Sequence, residues 1–219
     1  MSLKAVIFDL NGTVLSDEDE YGAAFRMVLA KLGKKVDKRF PHIRGIGVKE
    51  NWPRLLAKYH IKTNMSLEEL EQATQEAYLT MLSKIQIRKG FRRFISRLRQ
   101  RDIKTALATS NSYFIVEKIF DELGLGKYFD VITTNDEIAF NKPSPEIFLT
   151  TADRLGLDPS YCTVIEDSEA GIEAAKSAGM RTIGIATDPE NKKKLSGADF
   201  VVGNFDQVRL GFENLSSRI

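Results

Sequence analysis

Asp9 follows a short apolar run, Ala5-Val6-Ile7-Phe8, and precedes Leu10-Asn11-Gly12-Thr13. The run reads as a buried strand, and Gly12 lets the chain turn sharply after it. Open α/β sheets bind ligands just outside the carboxyl ends of their strands. A carboxylate at such a tip can act as a nucleophile or a metal ligand. Three further strand tips carry polar groups. Thr109-Ser110-Asn111 follows Ala106-Leu107-Ala108, Lys142 lies in Asn141-Lys142-Pro143, and Glu166-Asp167 ends Thr163-Val164-Ile165. In a parallel sheet all these tips face one side, so the residues can converge. The set suits phosphoryl chemistry. Thr109, the N–H groups after it and Lys142 can surround phosphate oxygens. Asp9 and Asp167 can hold Mg²⁺, with Glu166 as an outer or occasional ligand.

The elements that must position these residues have two textures. From about residue 16 to 88 the apolar spacing is helical, as in Phe25, Val28, Leu29, Leu32 and in Trp52, Leu55, Leu56, Tyr59. Ser66-Leu67-Glu68-Glu69 predicts a capping box opening a third helix. No good strand is expected there. From Gly90 onward, short strands alternate with helices, with Gly124, Gly156 and Gly179 as helix ends. Repeating αβ units imply a parallel sheet covered on both faces. The first strand belongs with that second texture. The expected organisation is therefore an α/β core, a Rossmann-like parallel sheet over 1–15 and 89–219, with an inserted all-helical cap over 16–88. Linkers fall near Leu15-Ser16 and Arg88-Gly90.

Asp9-x-Asn11-Gly12-Thr13, Thr109, Lys142-Pro143-x-Pro145 and Glu166-Asp167-Ser168 occur in the order and spacing of the four motifs of the haloacid dehalogenase superfamily. The match covers essentially the whole chain. The helical insertion resembles the mobile cap of the subfamily containing β-phosphoglucomutase and phosphoglycolate phosphatase. The resemblance implies a phosphatase with an aspartyl-phosphate intermediate on Asp9 and Mg²⁺ dependence. The metal ligands it implies are Asp9, the backbone carbonyl of Asn11, Glu166 and Asp167. Thr13, Thr109, Ser110, Asn111 and Lys142 become candidate substrate-binding residues, and Asp9, Asn11 and Lys142 candidate catalytic ones. Substrate selection is expected in the cap. There Arg44-Gly45-Ile46-Gly47-Val48-Lys49 breaks the helical pattern, and Lys49 could reach a second anionic group.

One motif position departs from the family. Asn11 stands where the family has a second acid, which protonates the leaving group and later activates water. A carboxamide does not exchange a proton in this way, and losing one general acid/base typically costs ~10²–10⁴-fold in rate. Three readings stay open: a slow phosphatase, an enzyme for phosphates whose leaving group needs little protonation (acyl or aryl phosphates), or a phosphate-ligand binder with little turnover. Asn11-Gly12 is also a dipeptide prone to deamidation, because glycine does not obstruct cyclisation. A mutase is disfavoured. β-Phosphoglucomutase has a histidine right after a tyrosine resembling Tyr21, and Gly22 stands here.

The bulk numbers fit this reading. The 219 residues carry 32 basic and 30 acidic side chains and 42% hydrophobic residues. That suffices for a core and leaves no electrostatic footprint for nucleic acid. The lone Cys162 excludes an internal disulfide framework and fits a reducing cytoplasm. No apolar run suits a membrane span, and Met1-Ser2-Leu3-Lys4 lacks a secretory pattern. A small phosphorylated metabolite is the expected partner, and a monomer or weak homodimer the expected state. His42 and His60 are expected to be structural or solvent-facing. Lys192-Lys193-Lys194 is read as a solvated helix face, and Phe140 as either core or pocket wall.

Overall fold

The computed structural model describes residues 3–37, 41–43 and 45–208. Met1, Ser2 and Arg44 of the sequence reading, and residues 209–219 of the expected core, lie outside it. Six strands form one parallel sheet: β1 (Ala5–Phe8), β4 (Lys104–Ala108), β5 (Val131–Thr133), β6 (Cys162–Glu166), β7 (Arg181–Ile185) and β8 (Phe200–Val202). Their spatial order is β5-β4-β1-β6-β7-β8, and every neighbouring pair is parallel. This is the Rossmann-like α/β class expected from the alternating pattern. The chain reverses direction across the sheet at β1, so Asp9 emerges between β4 and β6, at the point where such sheets open a crevice.

Side chains alternate faces along β1. Val6 and Phe8 join one core cluster, Ala5 and Ile7 the other. The Phe8 ring meets those of Phe91, Phe94, Phe129 and Phe205 at centroid distances of 5.6–6.1 Å. Phe91 and Phe94 come from α4 (Phe91–Arg99), whose apolar residues fall on one helical face. The other face of the sheet is covered by α6 (Glu146–Leu155) and α7 (Glu169–Ser177). Gly124 closes α5 (Tyr113–Leu123) and Gly156 closes α6, each in the left-handed conformation read from the sequence. The exposed run Lys192–Lys194 ends α8 (Pro189–Lys194).

Three helices lie between β1 and α4: α1 (Glu18–Lys31), α2 (Val48–Tyr59) and α3 (Leu67–Leu79). Ser66 and Glu69 form the reciprocal capping box at the start of α3. Trp52 is fully buried, and its Nε1 donates to Thr74 Oγ1 at 3.1 Å, tying α2 to α3. The expectation of no strand in this region fails at its edge. Leu15–Ser16 (β2) pairs antiparallel with Gln86–Ile87 (β3), so the first linker and the residues just before the second form one two-stranded ribbon. Arg88 fastens its base: its guanidinium donates to the carbonyls of Gly12 and Thr13, and its own N–H to Val14 O at 2.8 Å. Among the described residues no helix is long and apolar enough to cross a membrane.

Phe8 is fully buried. Its replacement in Phe8→Ala removes the ring that four others touch and is expected to cost about 3–5 kcal/mol, read from the urea midpoint. A loss below about 1 kcal/mol would mean that this face of the sheet is not packed as described.

Candidate active site

The turn after β1 brings the first motif together. Asp9 N–H donates to Ile165 O at 3.0 Å, which extends the β1–β6 pairing to the tip of the strand. Residues 10–14 then make one wide turn in which Gly12 has φ +78°. A Cβ on Gly12 would stand 2.2 Å from Asp167 Oδ2. Glycine is therefore required twice, by the backbone conformation and by the close approach of Asp167. The turn buries Thr13 completely, and its hydroxyl donates to Asp167 Oδ1 at 3.1 Å. Thr13 thus orients an acid and is not among the residues that line the pocket, where the sequence placed it with the substrate-binding candidates.

Asp9, Glu166 and Asp167 are buried, and one oxygen of each lies within 4.8 Å of the others. Lys142, fully buried, donates from Nζ to Asp9 Oδ1 at 2.6 Å and to Glu166 Oε1 at 2.9 Å. Glu166 Oε2 accepts from Ser168 N–H and Oγ, and Ser168 Oγ in turn caps α7 by accepting from Gly171 N–H. Burial pushes Asp9 up to about 7, against the lowering pull of Lys142. Burial raises Asp167 as well, with Glu166 and Asp9 adding like charge. Burial alone would lower Lys142, but the charges of Asp9 and Glu166 raise it overall. One ammonium thus faces three acids, and the uncompensated charge suits a cation with a preference for hard oxygen donors.

The pocket above this cluster is lined on the sheet side by Asp9, Asn11, Thr109, Ser110, Asn111 and Asp167. Thr109 Oγ1 accepts from Asn111 N–H at 3.2 Å, which shapes the loop after β4. The insertion supplies Glu18, Tyr21, Phe25, His42 and the loop around Gly45. A Cβ on Gly45 would lie 2.1 Å from Ser168 Oγ, so the loop rests against the core through a bare glycine. Asn51 clamps the same loop: its carboxamide bonds both the N–H and the carbonyl of Ile43, and the carbonyl of Gly47.

Two other residues singled out in the sequence lie away from the pocket. Lys49 points to α3 and pairs with Glu68 at 2.5 Å on an exposed face, because its place in the first turn of α2 aims it away from the pocket. Phe140 is 71% exposed and is neither core nor wall. Of the histidines, His42 stacks on Phe25 with centroids 4.8 Å apart and lines the pocket. Lys142 touches Asp9 from below and is absent from the pocket wall.

The residue that sequence reasoning missed is Asp17. It is fully buried, and its Oδ1 accepts from Gly12 N–H at 3.0 Å. Its Oδ2 accepts from Asn11 Nδ2 and from Tyr78 OH, the latter at 2.6 Å. Asn11 Nδ2 also donates to Tyr78 OH at 3.3 Å, and Asn11 Oδ1 accepts from Asn111 Nδ2 at 2.6 Å. Tyr21 OH completes the chain by donating to Asn111 Oδ1 at 2.8 Å. Both ends of the Asn11 side chain are therefore held. Gly12 N–H, the group that would attack it in deamidation, is given to Asp17, so the folded chain opposes that reaction.

The chain matches the family model described as haloacid dehalogenase-like hydrolase over residues 3–179, and it belongs to that family. Among curated relatives it is 35% identical to the phosphorylated carbohydrates phosphatase of Thermotoga maritima, over 83% of this chain and 84% of that one. It is 32% identical to the β-phosphoglucomutase of Bacillus subtilis, over 95% and 92%. Among solved structures, β-phosphoglucomutase from Clostridium difficile superposes with a TM-score of 0.84 at 30% identity, covering 97% of this chain and 96% of that one. A substituted form of CbbY from Rhodobacter sphaeroides, in complex with xylulose-(1,5)bisphosphate, gives 0.82 at 29% identity, over 93% and 95%.

Burial pushes the Asp17 carboxyl up to about 6, from 3.8 when free, against the lowering effect of the bonds from Tyr78, Asn11 and Gly12. The folded chain therefore holds this proton more tightly than the unfolded chain. The Asp17 contribution to stability is greatest below pH about 4, falls as pH rises, and levels off above pH about 6. The loss is about 3 kcal/mol. Urea midpoints of the metal-free protein across this range, against those of Asp17→Asn, are expected to differ in slope by that amount. Parallel curves would contradict the burial of a charged Asp17.

Proposed function

We propose that the chain is a Mg²⁺-dependent cytoplasmic hydrolase of small phosphomonoesters, acting through Asp9. The observation that carries this reading is the gathering of Asp9, Glu166, Asp167 and Lys142 in one buried cluster at the floor of the pocket. The names of the relatives, phosphatases and mutases of phosphorylated carbohydrates, support the same chemistry.

Lys142 orients the Asp9 carboxylate by holding Oδ1, which leaves the other oxygen to attack phosphorus. The bond from phosphorus to the leaving oxygen breaks, and the phosphoryl group passes to Asp9. Water then cleaves the acyl phosphate and restores the carboxylate. Ser110, Thr109 and the N–H groups of the loop after β4 face the pocket and bind phosphate oxygens. Asp9, Asp167 and the Asn11 carbonyl would hold Mg²⁺, with Glu166 behind them, because hard oxygen donors and excess buried negative charge suit that ion. When bound, the ion offsets the repulsion between the carboxylate and the anionic substrate. The insertion serves as the cap. It closes on the substrate through the Gly45 loop and excludes bulk water.

Asn11 sets the efficiency. Its carboxamide supplies no proton, so turnover is expected below that of an enzyme with an acid at this position by ~10²–10⁴-fold. Asp9→Asn is expected to lower phosphate release by at least about 10³-fold, with chelation of Mg²⁺ giving a similar loss. Full activity in Asp9→Asn, measured by phosphate release from a panel of phosphomonoesters, would remove Asp9 as the nucleophile.

A further inference from the structure

The two walls of the pocket offer a substrate different chemistry. The sheet side is polar throughout. On the insertion side the described residues supply Phe25, Ile43, Ile46 and Val48, with His42 stacked on Phe25. Two polar groups of that side, Tyr21 and Asn51, are committed elsewhere. The Tyr21 hydroxyl donates to Asn111, and Asn51 spends its carboxamide on the backbone of Ile43 and Gly47. A leaving group with many hydroxyls would lose its water here and find few partners. A flat apolar body would lose nothing.

The leaving oxygen meets the same shortage. Asn11 carries two N–H bonds, and it gives one to Asp17 and one to Tyr78. It has no acidic proton and no spare donor. The Asp17 carboxyl stands behind Asn11, fully buried, with both oxygens occupied. Glu18 lines the pocket within hydrogen-bond reach of Asp167. Departure of the leaving oxygen as an anion is the route these groups support.

We propose that this site selects aryl phosphates: phosphate esters whose leaving oxygen is weakly basic and whose body is aromatic. The inference rests on Asp9 being the nucleophile. In the first step an Asp9 oxygen bonds to phosphorus, and the phosphorus–aryl oxygen bond breaks with its electron pair going to the aryl oxide. No proton is needed. In the second step water attacks the phosphorus of the acyl phosphate, the bond to Asp9 breaks, and both protons of the water leave with inorganic phosphate. The aryl oxide takes a proton from solvent. With no base at residue 11, the second step is the slower one, and the phosphorylated Asp9 accumulates.

The test is a series of phosphate compounds, with the full chain and Mg²⁺: 4-nitrophenyl, phenyl and simple alkyl phosphate esters, with benzoyl and acetyl phosphate as a pair of similarly weakly basic leaving groups, one with the aromatic body and one without. The expected kcat/KM falls by ~10²–10⁴-fold from 4-nitrophenyl to alkyl phosphate. A burst of 4-nitrophenol approaching one equivalent per chain is expected before the steady state. Benzoyl phosphate is expected to exceed acetyl phosphate in kcat/KM because of the apolar wall, and Ile43→Asn to narrow that ratio. The double variant Asn11→Asp with Asp17→Asn exchanges acid and amide within the pair. It is expected to raise kcat/KM for alkyl phosphate and to remove the burst, with circular dichroism checking its fold. Equal kcat/KM for aryl and alkyl esters in the parent, with turnover intact, would overturn aryl selection and leave the phosphatase reading standing. No turnover of any ester would overturn both. An acetyl phosphate kcat/KM equal to or above that of benzoyl phosphate would overturn the aromatic seat.

Discussion

The buried ammonium of Lys142 is the contact on which the site depends. It sits between Asp9 and Glu166, sealed from solvent, and it holds each acid at hydrogen-bond distance. A buried carboxylate without a partner would neutralise itself, and Asp9 would lose its charge. Lys142 keeps Asp9 ionisable in a place where burial alone opposes charge. It cannot balance all three acids, and that shortfall leaves excess negative charge in the cluster. The fold makes this possible by placing β1 between β4 and β6, so that three separate loops end on the same few cubic ångströms.

A second network couples that chemistry to the insertion. Asp17 and Tyr21 belong to the start of α1, Tyr78 to α3, Asn111 to the loop after β4, and Asn11 to the turn after β1. Each bond is buried or partly buried, and each donor has a partner. Such networks fix one arrangement, because a half-broken set leaves polar groups stranded. Arg88 ties the ribbon β2–β3 to the carbonyls of the same turn. These bonds therefore tie α1 and α3 directly to the segment that carries Asp9 and Asn11. The ring stack of Tyr21 on Tyr78, 3.9 Å between centroids, adds a packed face to the same joint.

Much of this was legible in the sequence, and the reason is locality. Strand tips, capping residues and glycine helix ends are set by a few neighbouring residues, so Asp9, the capping box at Ser66 and the close of α6 at Gly156 could be read directly. The ribbon could not, since two-residue strands carry no period. Asp17 was hidden for another reason. It opens the run Asp17-Glu18-Asp19-Glu20, which reads as a solvated, acidic helix start. Only the fold shows that the first of these acids turns inward. Lys49 shows the opposite limit: its charge suggests a ligand, while the phase of α2 sets it against Glu68. Asn51 resembled an ordinary polar helix residue, and its work on the loop backbone depends on a contact made by the turn before it.

Residues 11 and 17 constrain each other. Asp17 offers only acceptors, and it takes them from a backbone N–H, a phenol and an amide. The Asn11 side chain is the one member of the motif that can donate to Asp17 and accept from Asn111 at once. A carboxylate at residue 11 would face the Asp17 oxygens with no hydrogen between them, inside a region that already raises the Asp17 carboxyl to about 6. One of the two acids would have to keep a proton, as closely placed carboxylates do. The amide at residue 11 is thus not an isolated loss of an acid. It belongs to a pair whose hydrogen-bond sense is set by the residue six positions on, and restoring the acid without changing its partner would exchange one deficit for another.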